Sequence, residues 1–473
     1  MSFYRNLLMH IPEVKSPEKK RDLKTRLTWT LGILFLFLFL SAIPLYGIQG
    51  EVAQQLQRLE LLFGASIGTL MTLGIGPIVT ASIMLQLFKG AGILNFDMNT
   101  EDGKFIYHGT HKILTFIFII LQAFIFVQLG GLSADPTIAN SFFLIVLQLI
   151  LGGLIIFYLD EIVKKWGFGS GVSIFIAAGI GAAVFVQLFS PFTASAEFFP
   201  GSGENPIGKI FLFFIYIINT QWLQLSNDVL LPIAVTIGLL LIIVFFQAVN
   251  VQIPLSFGKV RGQSYKWPLN FFYAGVIPVI FISAILANVS LLALAVEPNN
   301  PDEASAFRNF ISANIFGQHD PAGNPISGMA LWFTPVNFLD PSTDLSSYAT
   351  YLYALLYAIL MVGGSTLFAY LWVQTAGMDP YSQAKQIVSS GLQIPGFRKD
   401  VRIIERLLER YIGPLTIMGG IGVGLLAAFA DMFSALTQGT GILLLVMIVY
   451  QFYQQLSRES MEDFTLLRRF MKK

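Results

Sequence analysis

Apolar blocks long enough to cross a membrane recur along the chain, separated by short polar segments. The first is the run "LGILFLFLFLSAIPLYGI". Others follow at about 74–89, 113–131, 138–160, 170–190, 228–252, 269–296, 348–376, 411–430 and 440–456, ten in all. A helix needs about 20 apolar residues to cross the hydrocarbon core. Two further apolar stretches fail as spans. Residues 207–220 are short and bounded by Gly and Asn, and residues 54–70 carry Arg58 and Glu60. Residues 1–28 are polar and basic, with Phe3, Tyr4, Leu7, Leu8 and Ile11 at helical spacing. That pattern predicts a short amphipathic helix lying on the membrane. No small-x-small cleavage site follows the first apolar run, so it reads as a retained helix.

Composition agrees with this pattern: 55% of the 473 residues are hydrophobic and 12% are charged. The net charge of +1 conceals a strong asymmetry. With the N-terminus in the cytosol and the spans alternating, cytosolic segments hold 26 of the 29 lysines and arginines. The outer side keeps only Arg58, Lys209 and Arg308, and positive charge belongs inside. The expected fold is an all-α polytopic membrane protein with ten transmembrane helices in two halves of five. An odd number per half makes any repeat inverted. "GIGPIV" (74–79) and "GVIPVI" (275–280) stand in the second span of each half. The expected divisions are a cytosolic segment 1–28, an N-terminal half 29–190, an extracellular segment 191–227, a C-terminal half 228–456 and a cytosolic tail 457–473.

The ionisable chemistry of enzymes and ion-coupled carriers is missing from the spans. Asp160, Glu161 and Asp431 stand only at span ends, and there is no cysteine. His108 and His111 are three apart with no further ligand nearby, which reads as a solvated loop pair. The sequence therefore assigns no catalytic residue, no metal and no cofactor. A passive conduit, a scaffold or a carrier of neutral solute remains.

The stretch "GIGPIVTASIMLQ" is unusual for a span. Pro77 suits the first turn of a helix, so a new helix begins near Gly76. Two readings stand: a kinked helix facing lipid, or a broken helix whose stub (54–70) enters from outside. Irregular backbone at membrane depth needs burial in protein or a cavity to line.

Five motifs, in order along nearly the whole chain, resemble the SecY family, and most closely its archaeal branch. They are "GIGPIVTASIMLQLFKGAGI", "GFGSGVSIFIAAGI" (167–180), "YAGVIPVIFISAILAN" (273–288), "IPGFRKD" (394–400) and "ADMFSALTQGTGILL" (430–444). The resemblance implies two five-helix halves forming a clamshell around an hourglass pore. Its waist would be a ring of Ile75, Val79, Val172, Ile176, Ile280 and Leu426. A narrow aliphatic ring dewets and resists ions, yet deforms around a sliding chain. The 54–70 stub would be a plug, with Leu56, Leu59, Leu61, Leu62, Phe63, Gly64 and Ala65 at its centre. Thr80, Gln122 and Asn288 match polar positions lining a lateral gate. Cytosolic docking would fall to Lys259, Arg261, Arg398, Lys399 and Arg402, with positive charge suited to ribosomal RNA. Positive-inside topology and anionic lipid are the alternative use of that charge.

The implied function is the central pore subunit of a protein-conducting channel in the cell membrane, with both termini cytoplasmic. It would pass unfolded secretory chains outward and release apolar helices into lipid. Implied partners are a SecE-type γ subunit, a small β subunit, the translating ribosome and the signal-bearing nascent chain. Two other classes remain: a secondary transporter with broken helices, and a pore-less insertase.

Overall fold

The computed structural model describes residues 12–19, 21–48, 67–94, 96, 100–128, 132, 135, 137–138, 140–193, 198–199, 205–257, 264–296, 312–318, 327–338, 343, 346–390, 392–393, 400–433, 436–437 and 439–470. The helices of the N-terminal half are α1 (Leu23–Leu40), α2 (Gly76–Gly90), α3 (Glu101–Gln128), α4 (Ser141–Trp166) and α5 (Gly171–Phe189). A short α6 (Lys209–Ile218) leads to α7 (Trp222–Ala248), π-wound over Leu225–Leu230. Then come α8 (Ile277–Val296), α9 (Tyr348–Thr375), α10 (Pro380–Ser389), α11 (Val401–Met432) and α12 (Gly439–Phe470). Among the described residues, eight helices are long and apolar enough to cross a membrane. The other two expected spans are α2, of 15 residues, and α8, of 20 residues.

Those two helices begin in the same way. Gly74 sits at φ +50° and Gly275 at φ +69°, in each case three residues before a proline. Only glycine takes such angles without strain. The Gly74 N–H donates to the Met71 carbonyl at 2.9 Å, and the Gly275 N–H to the Phe272 carbonyl at 3.0 Å. Both segments thus turn tightly before Pro77 and Pro278 start the helix. The seventh span accordingly differs from expectation: residues 269–276 are strand end and turns, and helix begins only at Ile277. The α1 helix likewise stops at Leu40, and the apolar run around Pro44 continues as turns.

A second device repeats between the halves. Asp160, near the end of α4, accepts a hydrogen bond from the Val172 N–H at the start of α5 (3.0 Å). Asp431, at the end of α11, accepts from the Thr440 N–H at the start of α12 (2.6 Å). Each carboxylate satisfies an orphan donor and meets the positive end of a helix dipole. Glycine makes the approach possible. A Cβ on Gly171 would lie 2.6 Å from Asp160, and one on Gly439 would lie 1.9 Å from the Ala430 backbone. With the orientation set by positive charge, the first device faces the cytosol and the second the outside. Inverted halves require that arrangement.

The halves meet along two seams, α2 against α8 and α9, and α5 against α12. Outside the spans, the chain builds a small sheet that the sequence reading did not foresee. β1 (Asn250–Phe257) pairs antiparallel with β2 (Ser264–Asn270) and with β3 (Leu392–Gln393). Ile253, Leu255 and Leu269 of this sheet join Ile387, Ile404 and Leu408 in a core separate from the membrane bundle. The sixth span therefore ends at Ala248, and residues 250–252 belong to β1 rather than to a helix.

Candidate functional site

Most of the expected ring residues stand near helix starts. Ile75 and Val79 flank the Gly74–Pro77 break one turn apart, and Val172 and Ile176 open α5. Ile75, Val79, Ile176 and Ile280 are buried in one continuous core, against which the partly buried Val172 and Leu426 pack. Val79, Val172 and Ile280 also line the floor of an open cavity of about 1210 Å³. Its lining mixes apolar side chains such as Ile78, Phe281 and Trp372 with Lys89, Lys104, His108, His111, Lys164 and Asp379. By the orientation above, this is a cytosolic vestibule narrowing onto aliphatic side chains from three helices of both halves.

The two histidines are not a solvated loop pair. Both ride on α3 and face the vestibule. The His111 Nε2 lies 2.7 Å from the Ser82 hydroxyl, tying α3 to α2. Ser82 and His111 stand 29 residues apart on different helices, so no local pattern marks them. Asp160 and Asp431 also escaped the sequence reading as positioning residues. Their signal is an acid at a span's end with Gly-Val or Gly-Thr opening the next.

The three polar gate positions converge on one atom. The Thr80 hydroxyl donates to the Gly76 carbonyl at 2.8 Å. Its oxygen accepts from the Gln122 side-chain amide at 3.2 Å and from that of Asn288 at 3.1 Å. A hydroxyl offers one donor and two acceptor sites, so all three are used. Thr80, Gln122 and Asn288 belong to α2, α3 and α8, and the bond to Asn288 crosses between the halves.

Every named plug position from Leu56 to Ala65 lies outside the described residues. The two flanks of that segment are described, and they are joined. Pro44 bridges Thr69, the Leu45 N–H donates to the Gly68 carbonyl at 2.9 Å, and the Leu70 N–H to the Ile43 carbonyl at 3.0 Å. Gln148 of α4 clamps the backbone of Tyr46 through both its amide groups, each at 3.0 Å. Residues 49–66 therefore leave and return at a single anchored base.

Of the cytosolic docking positions, Lys259, Arg261, Arg398 and Lys399 lie outside the described residues. Arg402, Arg406 and Arg410 are exposed on α11, opposite the buried Ile404, Leu408 and Ile412. The pairing of Ser256 with Gln393 ties together the two loops that carry these basic segments.

A second cluster holds residues 13–15 against α3 and α4. Glu13 pairs with Lys165 and lies 3.7 Å from Lys112, which itself bonds Glu161 at 2.7 Å. The Trp166 indole donates to the Lys15 carbonyl at 2.8 Å. The hydrogen bond from Lys165 holds the Glu13 carboxyl below its ordinary pKa.

An all-helical membrane bundle of two inverted halves, with a vestibule ending on an aliphatic floor and a polar seam between halves, defines a channel-type architecture. Comparison with known proteins agrees. Residues 69–453 match the SecY family and residues 35–68 match the plug domain of Sec61p. The chain belongs to the SecY family. It is 37% identical to the protein translocase subunit SecY of Methanothermobacter thermautotrophicus, covering 99% of this chain and 98% of that one. It also superposes on a SecY structure whose plug domain stabilises the closed translocation channel, with TM-score 0.79 and 35% identity over 96% of both chains. Sec61 in the canine ribosome–channel complex of the endoplasmic reticulum gives TM-score 0.76 at 35% identity, again over 96% of both chains.

Proposed function

We propose that this chain is the pore-forming subunit of a protein-conducting channel, passing unfolded polypeptides through the membrane and releasing apolar helices sideways into lipid. One observation carries the reading. Val79, Val172 and Ile280, from three helices of both halves, line one open cavity together with Lys89, Lys104 and Lys164, and in this reading they are its aliphatic floor. A hydrophobic floor beneath a hydrated funnel blocks ions by dewetting and offers an extended chain no strong binding partner. Ile75 and Ile176 stand one turn further out on the same helices, and with Leu426 they complete the ring.

The Thr80–Gln122–Asn288 cluster is the lateral gate in this reading. Its bonds satisfy the seam when shut and are weak enough to exchange when it opens. The 54–70 stub, whose described end is joined to the chain around Pro44, is the plug. Lys259, Arg261, Arg398, Lys399 and Arg402 form the docking surface for a translating ribosome, in keeping with the ribosome-bound relative. A SecE-type γ subunit and a small β subunit complete the complex. The chain resides in the cell membrane with both termini in the cytoplasm.

The test is conductance. Deletion of residues 56–66 in the reconstituted complex raises the resting ion current across planar bilayers while thermal stability is kept. An unchanged current assigns the protein to pore-less insertion instead.

A further inference from the structure

The link between the halves, residues 205–230, is built as a membrane-seated unit. With 10 residues, α6 is about 15 Å long at the helical rise, half of what a span needs. Its start is pinned to the end of α5, where the Gly208 N–H donates to the Ser190 carbonyl at 3.0 Å. Its end turns back through Thr220 at φ +56°, with the Gln221 N–H donating to the Tyr216 carbonyl at 2.9 Å. The inner face has a small core of its own. Leu212 and Tyr216 pack there on Leu225 and Val229, and the Tyr216 hydroxyl donates to Asp228 at 3.0 Å.

The outer face is left apolar and open. Ile218 is 78% exposed, Leu223 77% and Trp222 65%. It continues an existing lipid-facing surface. Leu230, Ile237 and Leu241 are all exposed and follow at intervals of seven and four, on one side of α7. Length fixes the depth. At 27 residues α7 is about 40 Å long, some 10 Å more than the hydrocarbon core. The surplus is the set of turns against which α6 packs. Lys209, Tyr216 and Trp222 are residue types that favour the boundary between lipid tails and headgroups.

We infer that α6 and the first turns of α7 form a monotopic hairpin seated in the outer leaflet, its exposed face covered by lipid acyl chains. Residues 205–222 are then not an aqueous outer loop. They fix the joint between the two halves at a set depth, so the halves move about a lipid-held link. The inference rests on the orientation given above and not on channel activity.

The test uses the whole complex in nanodiscs. The chain has no native cysteine, so single cysteines replacing Ile218 or Leu223 take an environment-sensitive fluorophore cleanly. Phe245, exposed on the lower part of α7, serves as the lipid control and Asp22 as the aqueous control. Blue-shifted emission at Ile218 and Leu223 is expected. Nitroxide-bearing lipids should quench it at least half as strongly as at Phe245, and aqueous iodide several-fold less than at Asp22. Emission and iodide quenching like those of Asp22 overturn the inference. Blue-shifted emission that nitroxide lipids leave unquenched overturns it too, because a protein then covers the face. A normal lipid response at Phe245 shows that a failure concerns the hairpin and not the membrane orientation.

Discussion

The Asn288 side-chain amide donates to the Thr80 hydroxyl oxygen at 3.1 Å across the seam between the two halves, although 208 residues separate them in the chain. The same oxygen serves Gln122 from within its own half. Thr80 therefore couples the seam to the packing of α2 on α3. Removal of the hydroxyl leaves two amides without their acceptor, whereas removal of Asn288 leaves only a lone pair free.

Thr80→Val is accordingly expected to loosen the seam more than Asn288→Leu. A double-mutant cycle on unfolding in mixed micelles should return a coupling of about 0.6 kcal/mol, the usual size for such a bond within a membrane. A coupling indistinguishable from zero would remove the bond from the energetics of the seam.

The paired aspartate devices predict a steep dependence on two glycines. Gly439→Ala drives a methyl group into the Ala430 backbone, 1.9 Å away, and Gly171→Ala meets Asp160 at 2.6 Å. Overpacking of this kind costs about 1–3 kcal/mol. Gly363→Ala, with nothing within 4 Å of the new methyl, is the matched control and should be neutral. Thermal unfolding of the detergent-solubilised complex measures all three variants. Equal midpoints would show that the helix ends are not in fixed contact.

The N-terminal strap should respond to acid. The Glu13 carboxyl is held below its ordinary value of 4.5 by its hydrogen bond to Lys165. A lowered pKa in the folded state stabilises docking above the free value, and that contribution is lost as pH falls through the lowered one. A spin label at Ser16 is expected to be immobilised at pH 7 and to gain mobility below about pH 4, by the same linkage. Glu13→Gln should be mobile at both values. Equal immobilisation of the variant at pH 7 would show that the backbone contacts of Val14 and Lys15 with Glu161, Lys165 and Trp166 hold the strap.

Arg398→Glu should weaken ribosome co-sedimentation without lowering the unfolding midpoint. The loss should shrink as salt rises, since exposed charges are screened beyond about 10 Å at 0.1 M. Equal binding at low salt would move the docking surface to Lys259 and Arg261.

Much of this was legible in the sequence because the governing signals are local. The Gly-x-x-Pro spacing in 74–77 located the first helix break, while its counterpart in 275–278 was read only as a sign of a repeat; the i, i+4 spacing placed Ile75 with Val79 and Val172 with Ile176 on shared faces. The cytosolic sheet was not legible. Prolines at 254 and 268 argue against strands, and the partner β3 lies more than 120 residues further on. The vestibule histidines were misread for a related reason. The helix α3 starts at Glu101, well before its apolar run, so His108 and His111 look like loop residues while standing on a helix that lines the cavity.

The most direct test concerns the ring. In the absence of native cysteine, single cysteines at Ile75, Val172 and Ile280 can each be paired with one cysteine on a polypeptide arrested during translocation. The account predicts that every ring position crosslinks to the arrested chain, while Phe35 and Phe143, exposed on the outer surface of the bundle, do not. Crosslinks at the outer positions with none at the ring would contradict it, placing the path of the polypeptide outside the bundle.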